Sequence, residues 1–506
     1  METVISQVQP ASFAEFENET RNGSVIAVVR TIPCQSTAPV EAFMKIGGQS
    51  NYAFLFESTE GPEGVAKYSF IGSDPYMIVR GRDNQTLLEK NGAFETHPQC
   101  AIEYIRRHFR ERKLARRDDL PPLAGGAVGY FGYRAANWFE PALKMQDEST
   151  VETDDALFMF YRTLLVFDRV QQQIKIVSVV FLEEAESNRS RLKELYETAL
   201  RETERIEKIL TVPVQTTSPA AARSPHIKKA SVRSNWTRED FQEAVRSVKD
   251  RIVTGDCYQV VLSQRFTKDV TAEPISIYQT LRESNPSPYL YFLKLGEKAI
   301  IGASPEMLVR CRGEKLDYRP IAGTRKRGST EAEDTALAEE MRSDEKEVAE
   351  HRMLVDLGRN DLGRVARFGS VQVDELMSVE RYSRVQHLVS SLNARLREGC
   401  DRFDALAACF PAGTVTGAPK VKAMEIIRQL EPDSRGVYAG AILYADYADN
   451  LDSCIAIRTI VISGGEASVQ AGAGIVADSV PESEYDETVH KAQALLRAIE
   501  MAEHGE

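Results

Sequence analysis

Two pairs of glutamates in the second half of the chain have a spacing that suits metal binding. Glu347 and Glu350 lie in DEKEVAEH, and Glu484 and Glu487 lie in PESEYDET. Residues three positions apart lie on one face of a helix, so each pair presents two carboxylates to a common point. If the two helices face one another, the four carboxylates need a cation, and oxygen ligands favour Mg²⁺. A Glu-x-x-Glu pair taken alone is more typical of a solvated helix face.

Two further segments could bind an anion. The small residues of QAGAG, 470–474, let backbone N–H groups approach an anion as in a nest, although a tight turn is the default interpretation. Arg458 lies in the apolar run CIAIRT, where an unpaired guanidinium is costly, so we expect a carboxylate partner from the protein or from a substrate. The segment FPAGTVTGAPK, 410–420, lacks the last glycine and the hydroxyl residue of a nucleotide-binding loop, which excludes that function.

Composition excludes several classes of protein. The 506 residues include 63 Lys plus Arg and 75 Asp plus Glu, a net charge of -12, which disfavours binding to nucleic acid and to anionic membranes. The basic run RRHFRERKLARR, 106–117, is therefore interpreted as a solvated or partner-facing helix. No secretory signal or membrane-spanning run is visible, and the seven cysteines are scattered without a Cys-x-x-Cys spacing. We expect a soluble, cytoplasmic protein with reduced thiols.

The elements that must position these residues indicate a mixed α/β protein. Residues 24–182 are mostly strand-like, and a helix is predicted over 187–210. The polar segment 211–235 has the composition of a linker or an exposed loop. Beyond it, Thr237 predicts a helix start, and short strands alternate with helices, including a long one around 339–357. Ser483 and Asp486 form a capping-box pattern that places the second glutamate pair in a first helical turn.

Together these motifs resemble the chorismate-utilising enzymes over essentially the whole chain, and most closely the large components of the anthranilate synthase branch. The resemblance implies large antiparallel or mixed sheets packed face to face, with helices outside. It also implies a regulatory and partner-binding region at 1–210 and a chorismate-binding catalytic domain at 236–506. The motifs that carry it are GDCYQVVLSQRF (255–266), PIAGTRKRG (320–328), DEKEVAEHRMLVDLGRNDLGRV (344–365), FPAGTVTGAPK (410–420), LDSCIAIRT (451–459) and QAGAGIVADSVPESEYDET (470–488).

The resemblance also implies a role for each site residue. Glu350 and Glu487 would hold Mg²⁺, with Glu347 and Glu484 beside them, and the metal would bind the ring carboxylate of chorismate. His387 matches the family's catalytic histidine, a candidate for proton transfer at the C4 oxygen or in the elimination of pyruvate. The remaining residues would bind the substrate or lie beside the reacting atoms: Gln259, Gly323, Thr324, Thr414, Tyr438, Arg458, Gly472, Ala473, Gly474 and Lys491.

The activity implied is that of a lyase which converts chorismate and ammonia to anthranilate and pyruvate through 2-amino-4-deoxyisochorismate, the first step of tryptophan biosynthesis. Ala322 and Gln259 stand where related enzymes with other products carry lysines, which favours ammonia as the nucleophile. No glutaminase motif is visible, so a separate amidotransferase subunit would supply the ammonia. Two alternatives remain: a phenazine-type enzyme that retains the enolpyruvyl group, and a catalytically silent regulatory subunit.

A second resemblance concerns feedback inhibition. LFESTE, followed by KYSFIG, is similar to the segment that binds tryptophan, and NPSPYLYF supplies a second part of that pocket. We expect tryptophan to bind between the two halves and to bias a conformational equilibrium against the active form. The alternative is that LFES is simply an edge strand. The implied contacts are Glu57, Ser58, Pro288, Tyr289, Leu290 and Cys454.

Overall fold

Strand-forming apolar runs build most of the chain into two large antiparallel sheets. The computed structural model describes residues 6–34, 37–59, 67–143, 154–212, 231–382 and 384–505. Its strands are β1 (Gln7–Gln9), β2 (Val25–Pro33), β3 (Tyr52–Glu57), β4 (Tyr68–Ser73), β5 (Met77–Arg82), β6 (Gln85–Lys90), β7 (Ala93–His97), β8 (Gly126–Phe131), β9 (Ala156–Tyr161), β10 (Thr163–Asp168), β11 (Gln173–Phe181), β12 (Arg233–Ser234), β13 (Gln259–Asp269), β14 (Tyr289–Leu295), β15 (Lys298–Ser304), β16 (Met307–Arg312), β17 (Lys315–Tyr318), β18 (Ile321–Lys326), β19 (Gln372–Arg381), β20 (Val385–Arg395), β21 (Gly417–Ala418), β22 (Ala441–Asp446), β23 (Asn450–Ile455), β24 (Thr459–Ser463) and β25 (Glu466–Ile475).

Each sheet joins the two halves of the sequence at a single pair of strands. The first sheet runs β1-β2-β11-β10-β4-β3-β14-β15-β24-β25-β13-β12, with β21 also paired to β13. The second runs β18-β20-β17-β16-β23-β22-β8-β9-β5-β6-β7, with β19 also paired to β20. The halves therefore meet at β3–β14 in one sheet and at β8–β22 in the other. At the first junction Glu57 lies directly opposite Leu290.

Helices cover the outer faces of this sandwich. They are α1 (Phe13–Glu19), α2 (Pro39–Gly47), α3 (Ala101–Arg110), α4 (Ala136–Phe139), α5 (Arg189–Thr211), α6 (Arg238–Val253), α7 (Pro274–Ser284), α8 (Glu331–Ser343), α9 (Glu345–Gly363), α10 (Arg402–Cys409), α11 (Lys420–Leu430) and α12 (Pro481–His504).

The main apolar core lies between the sheets, where Val29 and Phe54 of the first sheet belong to one cluster with Val79 and Phe158 of the second. Helices α7 and α12 pack on the other side of the first sheet, and α6 and α11 pack over β13 and β25. The predicted architecture of face-to-face sheets with helices outside is therefore confirmed.

Helix boundaries follow local capping chemistry, and here two sequence predictions were wrong. The long helix expected around 339–357 is divided, because the Asp344 carboxylate accepts the N–H groups of Lys346 and Glu347 and starts α9. Ser483 is not a cap, since α12 already begins at Pro481, a residue suited to a first helical position. The start at Thr237 is confirmed, since its hydroxyl accepts the Asp240 N–H at 3.1 Å.

Four other sequence features can be compared with the structure. Most of the predicted linker at 211–235 lies outside the described residues. The basic run at 106–117 forms ion pairs with acidic residues of the same chain, including Arg106 with Asp404 at 2.8 Å and Arg117 with Glu19 at 3.0 Å. All seven cysteines are free. Over the described ranges, none of the helices combines the length and apolarity needed to cross a bilayer.

Candidate active site

The two glutamate pairs lie in the first two turns of α9 and α12, close enough to interact. Glu347 and Glu484 are in the first turns, so the prediction that Glu487 lies in a first turn was wrong. Burial, followed by the neighbouring Glu347 carboxylate, raises the pKa of Glu350, and Glu487 on the other helix shifts it in the same direction. Burial also raises the pKa of Glu484, to which Glu487 contributes while a hydrogen bond from Ser479 opposes the shift. The two helices therefore bring the pairs near enough for their charges to influence one another.

Each pair already has one carboxylate bound to a basic side chain. Arg325 Nη1 lies 3.0 Å from Glu347 Oε1, and Lys491 Nζ lies 2.6 Å from Glu487 Oε1. Lys491 also donates to the Gly472 carbonyl at 3.0 Å, which ties α12 to β25. The mutual repulsion of the glutamates is thus offset within the protein itself.

The donor set fits a hard divalent cation. The four side chains offer carboxylate oxygens only. Burial, and to a smaller extent their like charge, raises the pKa of Glu350 and Glu484, so a cation would stabilise the ionised forms. Within the described ranges, no three acidic, histidine or cysteine side chains are close enough to share an ion. The glutamate side chains would have to turn toward one another to do so.

His387 is held in a defined tautomer by the strand next to it. It lies on β20, only 6% exposed, and its Nδ1 is 2.9 Å from the Gly323 carbonyl and 3.1 Å from the Thr324 hydroxyl. A carbonyl can only accept, so Nδ1 carries the proton and Nε2 presents a lone pair. Burial lowers the pKa of His387, the Gly323 carbonyl opposes this shift, and the Arg458 charge lowers the pKa further. The imidazole is therefore neutral near pH 7.

A β-bulge places both partners of His387. The register between β18 and β20 shifts between Ala322 and Arg325, so Gly323 and Thr324 leave the regular ladder. Gly323 has φ +63, a conformation that favours glycine. Ala322, the position of a lysine in related enzymes, pairs with Leu388 within the ladder. The PIAGT motif therefore acts through its backbone as well as its side chains.

The QAGAG segment is not a turn or a nest. Residues Gly472, Ala473 and Gly474 are part of strand β25, because ten consecutive residues of β25 pair with β13. The lack of a side chain at Gly472 and Gly474 matters because neighbouring side chains approach their Cα atoms closely. A Cβ on Gly472 would lie 2.7 Å from the Tyr438 hydroxyl, and a Cβ on Gly474 would lie 2.6 Å from Gln259 Nε2. Both glycines therefore leave room for the predicted site residues beside them.

Arg458 has the character of an anion-binding residue. Its backbone is left-handed, with φ 48, a strained conformation for arginine that is common at functional sites. Its side chain reaches solvent, yet protein surrounds it closely enough that burial lowers its pKa. Within the described parts of the chain it forms no ion pair. Of the two partners expected from the sequence, the substrate carboxylate is therefore favoured.

Glu306 is a site residue that sequence reasoning missed. It follows β15, is 7% exposed, and burial raises its pKa to about 8, while the nearby Thr414 hydroxyl opposes this shift. The carboxyl is therefore mostly protonated at pH 7 and can act as an acid. The sequence did contain an indication that Glu306 is buried. It is the only charged residue between two apolar runs, AIIGAS and MLV, and a lone carboxylate in such a position predicts burial.

Arg435 is a second missed residue and connects three segments of the site. It forms a buried ion pair with Glu431 at 2.6 Å and donates to the carbonyls of Val415 and Val261 at 2.7 and 2.8 Å. Its guanidinium also lies over the Tyr438 ring, 5.5 Å from the centroid. It therefore positions the Thr414 segment, the start of β13 and Tyr438 relative to one another. Val415 and Val261 are distant from Arg435 in sequence, so no local pattern indicated these two contacts.

All six residues predicted to contact tryptophan line one cavity, which is partly open to solvent. It lies between the sheets at the junction of the two halves, and Phe56, Phe70 and Tyr444 add aromatic walls. The Glu57 carboxylate is anchored by the Tyr278 hydroxyl at 2.7 Å and by Arg282 Nε at 2.9 Å. LFES belongs to a strand inside the sheet, paired on both sides, so the edge-strand alternative is wrong.

Comparisons with known proteins extend over nearly the whole chain. A family model described as chorismate binding enzyme matches residues 52–497. Anthranilate synthase component 1 of Acetivibrio thermocellus is 45% identical over 482 residues, 95% of this chain and 96% of that protein. The Aquifex aeolicus component 1 is 42% identical over 501 residues, covering 98% and 99%. A crystal structure of anthranilate synthase component I from Streptococcus pneumoniae TIGR4 is 35% identical, with a TM-score of 0.72 and coverage of 92% and 98%.

Proposed function

The chain belongs to the chorismate-binding enzyme family, and from that premise we propose that it is the large component of an anthranilate synthase. It converts chorismate and ammonia to anthranilate and pyruvate, the first step of tryptophan biosynthesis. The observation that carries this proposal is the site itself. An Arg458 that forms no ion pair with any described residue, a neutral His387 and a protonated Glu306 lie among the motifs that the family model matches. These three residues favour an enzyme over a catalytically silent regulatory subunit, which would have no need of them.

Arg458 provides the charge that binds the enolpyruvyl carboxylate of chorismate. It is close enough to His387 to lower the pKa of that residue, so the bound carboxylate would lie beside the imidazole. Tyr438 and the Gly472–Gly474 backbone form the opposite wall, and Lys491 adds charge where the ring carboxylate would lie. Chorismate is a dianion, and these cations reverse the potential of an acidic protein locally.

The reaction needs an acid for the C4 oxygen as ammonia adds at C2. Glu306 is suited to this role because it holds its proton up to a pH of about 8. His387 then has a neutral Nε2 that can accept a proton during the elimination of pyruvate from the aminated ring. Gln259, an amide in place of a lysine, leaves the nucleophile position to ammonia. We therefore assign Glu306 to the first step and His387 to the second.

We propose Mg²⁺ as the cofactor, held by Glu350 and Glu487 with Glu347 and Glu484 beside them. When bound, it would stabilise the ring carboxylate and the charge that develops during displacement. Glu350→Gln removes one anionic ligand at nearly constant volume. We expect its Mg²⁺ dissociation constant, measured by titration calorimetry, to rise at least about tenfold. The exposed control Glu398→Gln should bind as the wild type does, and equal affinities in both variants would argue against the assigned ligands.

One assay tests the proposed activity and its partner. The purified chain, with chorismate, Mg²⁺ and ammonium at alkaline pH, should produce fluorescent anthranilate and pyruvate. Glutamine should replace ammonium only when an amidotransferase component is added. No anthranilate under either condition contradicts the proposal, and a non-fluorescent product that keeps its enolpyruvyl group would indicate the phenazine-type alternative. We expect the reaction to take place in the cytoplasm, where the seven thiols stay reduced.

We also propose that tryptophan is the feedback inhibitor and binds the cavity at the junction of the halves. The support is that all six residues predicted for this role line it together with aromatic side chains. Ser58→Phe places a bulky ring in the cavity, so tryptophan binding measured by titration calorimetry should weaken more than about tenfold. Ser190→Phe, the same change on the exposed face of α5, should bind tryptophan normally. Unchanged affinity in Ser58→Phe would place the inhibitor elsewhere.

A further inference from the structure

Arg325 occupies a carboxylate oxygen that the proposed metal would use. Its guanidinium contacts three acids on two helices: Nη1 lies 3.0 Å from Glu347, Nε lies 3.2 Å from Glu340, and Nη2 lies 3.4 Å from Asp344. The Arg325 and Glu347 side chains are each 22% exposed, so water and ions can reach the contact. A metal cation that approaches the Glu347 carboxylate therefore finds it already paired with the Arg325 guanidinium.

Arg325 can release Glu347 without losing all its partners. Glu340 and Asp344 remain in contact with it when the Glu347 contact opens. Asp344 is itself fixed, because its Oδ1 accepts the first N–H groups of α9 while Oδ2 faces Arg325. The guanidinium thus stays tethered at the start of the helix whether or not it holds Glu347. Exchange at Glu347 costs one partly solvated ion pair and leaves no buried charge unpaired.

Two basic side chains offset the like charge of the glutamates. Neighbouring carboxylates repel one another, and a counter-charge lowers that repulsion. Arg325 neutralises Glu347 from β18, as Lys491 neutralises Glu487 from within α12. Lys491 is additionally bound to the Gly472 carbonyl of strand β25. Arg325 instead donates at 3.2 Å to the carbonyl of its own chain neighbour Thr324, and its other hydrogen bonds within the described residues go to carboxylates. The Arg325–Glu347 contact is therefore one that a divalent cation can replace directly.

We propose that Arg325 is the resident counter-ion of Glu347 and competes with the divalent cation for that carboxylate. Cation binding replaces the Arg325–Glu347 ion pair, while Arg325 keeps its contacts to Glu340 and Asp344. The inference rests on the proposed metal-binding function of the four glutamates. It implies that Arg325 weakens metal binding while it balances the charge of Glu347.

Binding of Mn²⁺, followed by loss of the free-ion signal in electron paramagnetic resonance, tests the proposal without turnover. Arg325→Gln should bind Mn²⁺ about fivefold more tightly than the wild type, a change of about 1 kcal/mol. Arg325→Lys keeps a charge and should stay near the wild-type affinity. Arg342→Gln removes the same charge from the last turn of α8, away from Glu347, and should change the affinity less than about twofold.

Each other outcome has a definite meaning. Equal affinities in the wild type and Arg325→Gln overturn the competition, and weaker binding in Arg325→Gln overturns it too, because Arg325 would then position Glu347 for the metal. If none of the proteins binds Mn²⁺, the metal assignment fails together with this inference. If Mn²⁺ binds as expected but no anthranilate forms, the proposed reaction is wrong and the competition stands.

Discussion

Glu306→Gln should lower kcat about 100- to 10,000-fold with little change in KM, the range expected when a general acid is lost. The amide keeps the shape of the carboxyl but cannot transfer a proton to the C4 oxygen. In the wild type, burial raises the pKa of Glu306 to about 8, so the active, protonated form is present below that pH and is lost above it. The kcat/KM profile, measured at constant free ammonia, should therefore fall above pH 8.

The Glu306→Gln variant should also lose the fall in kcat/KM above pH 8, the basic limb of the profile. The amide at this position has no proton that titrates in this range. Glu314→Gln makes the same chemical change on an exposed turn and should retain both wild-type kcat and the wild-type profile. A Glu306→Gln enzyme with near wild-type kcat, or with an unchanged basic limb, would remove Glu306 from the proton transfer. The acid would then have to be sought at His387.

Arg458→Gln should lower kcat/KM for chorismate about 10- to 150-fold, since a hydrogen bond to a charged group contributes about 1.5–3 kcal/mol. The loss should appear mainly in KM, because the guanidinium binds a part of the substrate that keeps its charge through amination. Steady-state kinetics under saturating ammonium measure both constants. The left-handed backbone at Arg458 is local, so the glutamine variant should fold with a similar melting temperature.

A chemical rescue separates binding from structure. In Arg458→Ala, added guanidinium ion should restore part of the lost kcat/KM by occupying the vacated space, while the exposed control Arg246→Gln should show neither loss nor rescue. If Arg458→Gln raises KM less than about threefold, the enolpyruvyl carboxylate is bound elsewhere, and the unpaired guanidinium needs another explanation.

Local patterns predicted the elements that carry this site better than they predicted their junctions. The i, i+3 glutamates were correctly placed on helices, and the strand-like run that contains Glu57 became β3. The break at Asp344 was missed because one side chain that caps α9 outweighs a continuous helical pattern. Gly472 was interpreted as a turn residue because the ten-residue pairing with β13 comes from the distant start of the catalytic half. Pairing between distant segments is not encoded in any short window.

The same reason explains why the site was predicted only in part. The resemblance supplied His387 and Arg458, and the structure adds that one is neutral and the other has no ion pair within the described residues. Arg435 and Arg325 were not found, because an arginine in a polar stretch is ordinarily solvated. Their importance depends on which carbonyls and carboxylates the fold brings within 3.5 Å. Only tertiary structure contains that information.

The two strand junctions have a consequence for synthesis of the protein on the ribosome. Strands β3 and β8 emerge early, yet their partners β14 and β22 belong to the second half and emerge much later. Until then each is an unpaired edge, and β8 is apolar along its whole length. Such edges promote association between chains, so the first half is exposed to aggregation until the second half emerges and completes both sheets.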